Sequence, residues 1–315
     1  MENSVKKSLL QSILQKIRQR TPLAIRHKIG PVIAFVLYYF NIYFRPNRQR
    51  PKVLSVNETI DLIIEKNLSI IRFGDGEISL LDGIDLGFQK QDAQLAARLE
   101  QILQSNLDGL LICIPGMWEK LNGLEDYAFW FSMHHLYRYG HVWKSLLSYD
   151  RLYGNMNMTR FYLAFKDKSG CQNTFQKLFF IWEGKDVALI EGAKSRLGVG
   201  NDMFSRVKSL HRILCPPENA FDKYEAIKNE AAKIGKDKLI LLSLGPTAKV
   251  LAYDLFLLGY RVIDIGHLDM EYEMFLRKAE KQEKVKYKYF NEIHERNPDD
   301  CVDPRYLSQI IAIIK

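Results

Sequence analysis

The sequence predicts an α/β protein: a mostly parallel sheet with flanking helices, preceded by a basic and apolar helical extension. Two observations carry this. Short uninterrupted apolar runs alternate with segments of helical periodicity along most of the chain. Strands covered by helices on both faces read as such runs, whereas half-exposed strands alternate apolar and polar. Each run also ends in glycine or polar residues before the next helical pattern begins, which is the rhythm of βα units. The composition agrees, since 47% apolar and 26% charged residues fit neither a disordered chain nor a multi-span membrane protein. With 315 residues there is room for one large domain or two modest ones.

In chain order, residues 1–52 come first and hold eleven of the 45 Lys and Arg but only one, Glu2, of the 37 acids. The remainder is close to neutral, which argues against a nucleic-acid surface there. Leu9, Leu10, Ile13, Leu14 and Ile17 recur at helical spacing among Lys6, Lys7 and Lys16. The run from Gly30 to Phe44 is uncharged, with Arg26 and Lys28 before it and Arg45, Arg48 and Arg50 after it. It is shorter than the ~20 residues that span a bilayer as a helix, and it lacks a signal-peptide cleavage site. A basic amphipathic stretch beside an aromatic run suits the surface of an anionic leaflet. Packing on the body or on a second copy, and a short span, are the alternatives. The expected location is cytoplasmic, peripheral on the inner face of the cell membrane.

Arg45 to Pro51 is turn-prone and reads as a linker. Strands are then expected at Leu68–Phe73, Leu110–Ile114, Val187–Ile190, Ile213–Leu214, Leu239–Leu244 and Val262–Ile265. The clearest unit is 238–276. A strand is followed by the Gly245-Pro246 turn, a helix for which Thr247 is the expected cap, and Gly259 as its C-terminal glycine. The domains are residues 1–52 as the extension, 53–295 as the catalytic body and 296–315 as a tail. Cys113, Cys171, Cys215 and Cys301 form no C-x-x-C pair and read as reduced thiols rather than disulfides or a zinc site.

Ligands of such sheets bind beyond the C-terminal strand ends, so the loops there carry the chemistry. After the first run comes Arg72-Phe-Gly74-Asp75-Gly-Glu77. Its two carboxylates suit one oxygen-loving divalent ion, and Arg72 suits a phosphate; a solvated acidic turn is the bland reading. The stretch 191–202 combines glycines with Lys194, Ser195 and Arg196, which fits a diphosphate or simply an irregular surface loop. Gly245 to Lys249 opens a helix whose free N–H groups suit a phosphate, or is an ordinary turn. His267, Asp269 and Glu271 follow the last run and supply candidate general bases. Residues 117–143 are crowded with Trp, Tyr, Phe and His; these read as core more readily than as sugar-stacking surfaces.

Taken together, RFGDGE at 72–77, EGAKSRLGVGND at 191–202, LGPTAKVLAYDL at 244–255 and DIGHLDMEY at 264–272 resemble the GT-D-type glycosyltransferases of bacterial surface-glycan pathways. The resemblance covers roughly 53–295. It implies a Rossmann-like fold and a UDP-sugar donor held with Mn²⁺ or Mg²⁺ at a D-x-E motif, here Asp75 and Glu77. It places Arg72, Gly74, Glu191, Lys194, Ser195, Arg196, Gly198, Gly200, Asn201, Gly245, Pro246, Thr247 and Lys249 in donor-binding regions. The expected reaction moves a hexose to a glycan or lipid-linked oligosaccharide in surface polysaccharide or glycoprotein-glycan synthesis. Self-association is left open, and no nucleic-acid partner is expected. A metal-dependent nucleotide-sugar phosphohydrolase and a non-catalytic nucleotide-binding subunit are the rivals.

Overall fold

The computed structural model describes residues 32–40, 49–118, 121–289 and 298–315. The amphipathic stretch at 5–17 and most of the basic linker lie outside them. The first described element is a helix, α1, over 32–40. Ala34 and Tyr38 are buried, while Val32, Val36 and Phe40 are exposed. Helix α1 therefore lays one face on the body. The Tyr38 hydroxyl accepts from the Leu121 N–H at 2.9 Å, and Phe35 stacks on Trp130 at 5.9 Å.

The rest is one α/β unit. In order come β1 (Lys52–Val53), α2 (Val56–Glu65), β2 (Ser69–Arg72), α3 (Asp75–Leu81), α4 (Ala93–Gln104), β3 (Leu110–Ile114) and α5 (Asp126–Leu146). Next are β4 (Leu152–Asn155), α6 (Phe161–Ala164), α7 (Cys171–Phe180), β5 (Asp186–Gly192), β6 (Ser209–Cys215) and α8 (Tyr224–Ala231). The last are β7 (Leu239–Ser243), α9 (Thr247–Leu257), β8 (Val262–Asp264), α10 (Leu268–Leu276), α11 (Pro304–Gln309) and β9 (Ile310–Ile313). The nine strands form one sheet in the order β1-β4-β3-β2-β8-β7-β5-β6-β9, and each described pair is parallel.

Every residue of β2, β3 and β7 is buried, as continuous apolar strands between two helical layers require. One large apolar cluster lies on one face of the sheet and a second on the other. The α9 helix is buried along nearly its whole length. It ends in a Schellman motif: Gly259, at φ 87°, donates to Phe256 O at 2.9 Å and Tyr260 N donates to Leu255 O at 3.0 Å. Only glycine adopts that conformation without strain.

One expectation is corrected. Thr247 is the first helical residue rather than the cap, which is Pro246; its hydroxyl lies 3.4 Å from Gln89 Oε1. Within residues 298–315, β9 pairs with β6 and completes the sheet edge. The aromatic stretch is split between two environments. Met133, Tyr139 and Trp143 of α5 are core, whereas Tyr127, Trp130 and Phe131 are exposed. All four cysteines are free and buried.

Candidate functional site

A cleft of about 820 Å³ opens at the C-terminal edge of the sheet. Each strand from β2 to β8 sends its following loop into it: Gly74 to Glu77, Pro115 to Met117, Asn155 to Asn157, Gly192, Pro216, Gly245 and Gly266. Tyr127 and Phe131 of α5, one helical turn apart, line it as well.

The charged floor is built on β2, β8 and α9. Arg72 is 7% exposed. Its Nε donates to Asp264 O at 2.9 Å, its Nη1 donates to the Thr159 hydroxyl, and its Nη2 lies 3.6 Å from Asp264 Oδ1. Gly266 must be glycine here: its φ is 45°, and a Cβ would sit 1.8 Å from the Arg72 guanidinium. Lys249 Nζ lies 3.1 Å from both Glu77 Oε1 and Asp264 Oδ2. Burial alone would raise the Asp264 carboxyl, but Lys249 and Arg72 hold it below its ordinary value.

The two acids of the D-x-E triplet are not equivalent. They occupy the first and third positions of α3, where side chains two residues apart diverge. Asp75 is exposed at the cleft. Glu77 is buried and turns back, so that its Oε2 accepts from Gly74 N at 2.7 Å. Among the described residues no group of three or more His, Cys, Asp or Glu is placed to hold a metal ion. Two neighbouring carboxylates, one of them open, still fit Mg²⁺ or Mn²⁺, which complete their shells with water and substrate phosphates. Asp75 is the acid open to the cleft, and Glu77 Oε1 is engaged by Lys249.

Of the base candidates, His267 and Glu271 line the cleft. Glu271 Oε1 accepts from Leu163 N at 2.8 Å. Burial pushes its carboxyl above the ordinary range, against the opposing pull of Arg160. Asp269 is elsewhere. It is 1% exposed, and it takes two contacts from Lys288 Nζ, at 2.7 and 2.9 Å, and one from Gly198 N at 2.7 Å. It is a latch between α10 and the 198–201 loop.

The 191–202 stretch divides in the same way. Gly192 and Ser195 face the cleft. Glu191 is fully buried, pairs with Arg212 and accepts from Leu197 N at 2.8 Å. Arg196 donates to the carbonyls of Tyr287 and Asp299 at 2.6 and 2.5 Å, which straps the 298–300 segment down. Asn201 holds Asp269 and Glu273 at 2.8 Å. Lys194, Gly198 and Gly200 are also absent from the lining, as is Thr247, while Arg72, Gly74, Gly245, Pro246 and Lys249 belong to it. Asn155, Asn157, Arg160 and Asn219 line the cleft as well. No glycine-rich or acidic cluster marks the first three in sequence; Asn219, next to the Pro216-Pro217 turn, has a left-handed φ of 49°.

A family model described as glycosyltransferase GT-D fold matches residues 70–293. The chain is 38% identical over 265 residues to glycosyltransferase GlyD of Streptococcus pneumoniae serotype 4, and 39% identical over 280 residues to the probable glycosyl transferase Gly of Streptococcus gordonii. These alignments take in 84% and 85% of this chain but only 32% and 39% of those relatives. A solved structure of domain of unknown function 1792, described as having a distinct glycosyltransferase fold, is similar at a TM-score of 0.81 and 37% identity, over 85% of this chain and 97% of that one. A second, described as a new glycosyltransferase from Streptococcus sanguinis, is similar at 0.80 and 38%, over 84% and 100%.

Proposed function

The chain belongs to the glycosyltransferase GT-D fold family, and from that premise we propose that it transfers a hexose from a UDP-sugar to a glycan acceptor, with a divalent metal, in bacterial surface polysaccharide or glycoprotein-glycan synthesis. One observation carries the reading. One cleft is lined both by a cationic and acidic floor at the strand ends and by an aromatic wall of Tyr127 and Phe131. The floor suits a diphosphate, and the wall suits the apolar face of a sugar ring.

The leaving diphosphate gains negative charge as the glycosidic bond breaks, and fixed positive charge nearby stabilises that state. Lys249 and Arg72 supply such charge. The Ser195 hydroxyl, which lines the cleft, would hold a phosphate oxygen. Asp75, with Glu77 behind it, would hold a divalent ion, which supplies Lewis-acid stabilisation when bound. His267 or Glu271 takes the proton from the acceptor hydroxyl.

The nucleotide reading is tested by melting the protein with UDP. Saturating UDP with Mn²⁺ is expected to stabilise it by about 2–3 kcal/mol at a hundredfold excess over Kd. An equal shift in EDTA would count against a metal-bridged diphosphate. UDP-, GDP- and TDP-sugars then rank the donor, and fast turnover without an acceptor would point to a hydrolase instead.

The choice of base has a pH signature. Since burial raises the Glu271 carboxyl, the folded protein keeps that proton above the usual value of about 4.3. A Glu271 base therefore makes kcat/KM climb with pH through a range above that value, and Glu271→Gln flattens the climb. A climb that survives Glu271→Gln assigns the proton to His267.

The same reading puts the enzyme at the membrane surface, where a lipid-linked acceptor lies. No described helix is long and apolar enough to cross a membrane. Support comes from the basic residues of 1–52 and the exposed face of α1. Binding to anionic vesicles is expected to weaken but persist at high salt, since salt screens only the charged part. A chain starting at Pro51 should lose vesicle binding and keep UDP binding. If that chain instead fails to fold, α1 is part of the core and the attachment reading fails.

A further inference from the structure

Lys249 is buried at 5% exposure, and its ammonium has three donors. Three acceptors meet them: Glu77 Oε1, Asp264 Oδ2 and Gly245 O, each at 3.1 Å. Asp264 is shared with Arg72 at 3.6 Å. Two buried cations thus face two buried carboxylates, and Asp75 is the exposed acid beside them. One of the two acids suited to a metal already has a cation.

We infer that Lys249 is a resident counter-ion that positions Glu77 so that a divalent ion is taken only together with the diphosphate. This rests on the metal-and-nucleotide reading above. Without nucleotide, the ammonium satisfies Glu77, and a second cation would meet the repulsion of Lys249 and Arg72 in a partly desolvated site, where charges interact strongly. A diphosphate brings negative charge and offers the ammonium new acceptors. Lys249 then turns to phosphate oxygen and Glu77 becomes available. No covalent bond changes. The coupling is reciprocal: nucleotide raises metal affinity by the factor by which metal raises nucleotide affinity. A purely structural lysine makes the opposite forecast, because its loss would loosen the site and weaken metal binding.

The experiment titrates the full-length protein with Mn²⁺ alone, following free Mn²⁺ by electron paramagnetic resonance, and repeats it with saturating UDP. In the wild type, UDP should tighten Mn²⁺ binding tenfold or more, a coupling of about 1.4 kcal/mol. K249M should bind Mn²⁺ alone about tenfold tighter than the wild type and lose most of the coupling. K249R keeps the charge and should behave like the wild type with Mn²⁺ alone. If K249M does not fold, K249M/D264N removes one charge of each sign and carries the same expectation. A wild-type coupling below about threefold, or Mn²⁺ alone bound no tighter by the methionine variant, overturns the inference. Absence of UDP binding under every metal condition would sink the donor reading, and the Mn²⁺-alone comparison would still decide the part played by Lys249.

Discussion

Asp75→Ala is expected to cost transfer activity on the order of 10²–10³-fold, the usual loss for one element of charge stabilisation, with no fall in melting temperature. Asp75 is exposed and makes no contact that the fold depends on within α3 beyond its backbone. Glu77→Ala should lose activity to a similar degree but also unfold more easily. Its side chain is 8% exposed, caps Gly74 N and neutralises Lys249. Removing one member of a buried pair costs about 3–5 kcal/mol, because the other is left charged and alone. The two acids look alike in sequence, so the contrast tests the geometry directly. Thermal melts and initial rates on both variants, with and without EDTA, check it. Full activity in excess EDTA, or equal melting temperatures for the two variants, would contradict the assignment.

Arg212→Met is expected to be among the most destabilising single changes. The Arg212 side chain is 2% exposed. It pairs with Glu191, donates to Leu197 O at 2.8 Å and to Gln309 Oε1 at 2.7 Å, and lies 5.1 Å over the Tyr306 ring. It therefore ties the loop after β5 to α11. Its loss strands a fully buried carboxylate, at about 3–5 kcal/mol, a large share of the ~5–15 kcal/mol that holds a typical domain together. The urea midpoint should fall with little change in slope. Arg212→Met with Glu191→Gln should be more stable than Arg212→Met alone, since it removes the stranded charge. A double variant no better than the single one would mean that the lost packing, not the charge, dominates.

The strands that sequence reveals are those buried on both faces. Leu110–Ile114 is legible to the residue, because five apolar residues in a row have no other use in a βα unit. The Leu152–Asn155 strand carries a glycine and ends in asparagine, so nothing in its composition separates it from a loop. Ile310–Ile313 has an apolar run but sits at the sheet edge, half exposed, and only its pairing with β6 makes it a strand. In the site, strand-end position locates Asp75, Lys249, His267 and Glu271, which all face the cleft. It does not separate them from Glu191, Arg196 and Asp269, because the same residue types that hold a diphosphate also hold loops. Lys288 and Arg212 make the difference, and each lies too far along the chain from its partner acid for local spacing to connect them.

The sheet is two strips joined along one line. One strip, β1-β4-β3-β2, is drawn from residues 52–155, and the other, β8-β7-β5-β6-β9, from residues 186–313. They meet where β2 pairs with β8, so that Ser69 and Val262, 193 positions apart, share a hydrogen bond. Closing so long a loop carries an entropic cost before any contact offsets it, and parallel pairing of this kind forms slowly. Until β8 is in place, β2 presents an unpaired edge to any other strand, the situation that invites aggregation. Arg72 closes on Asp264 across this same line. The charged floor of the cleft is thus also the keystone of the joint: a chain that has not finished folding has no such centre, and a ligand that settles there holds the two strips together.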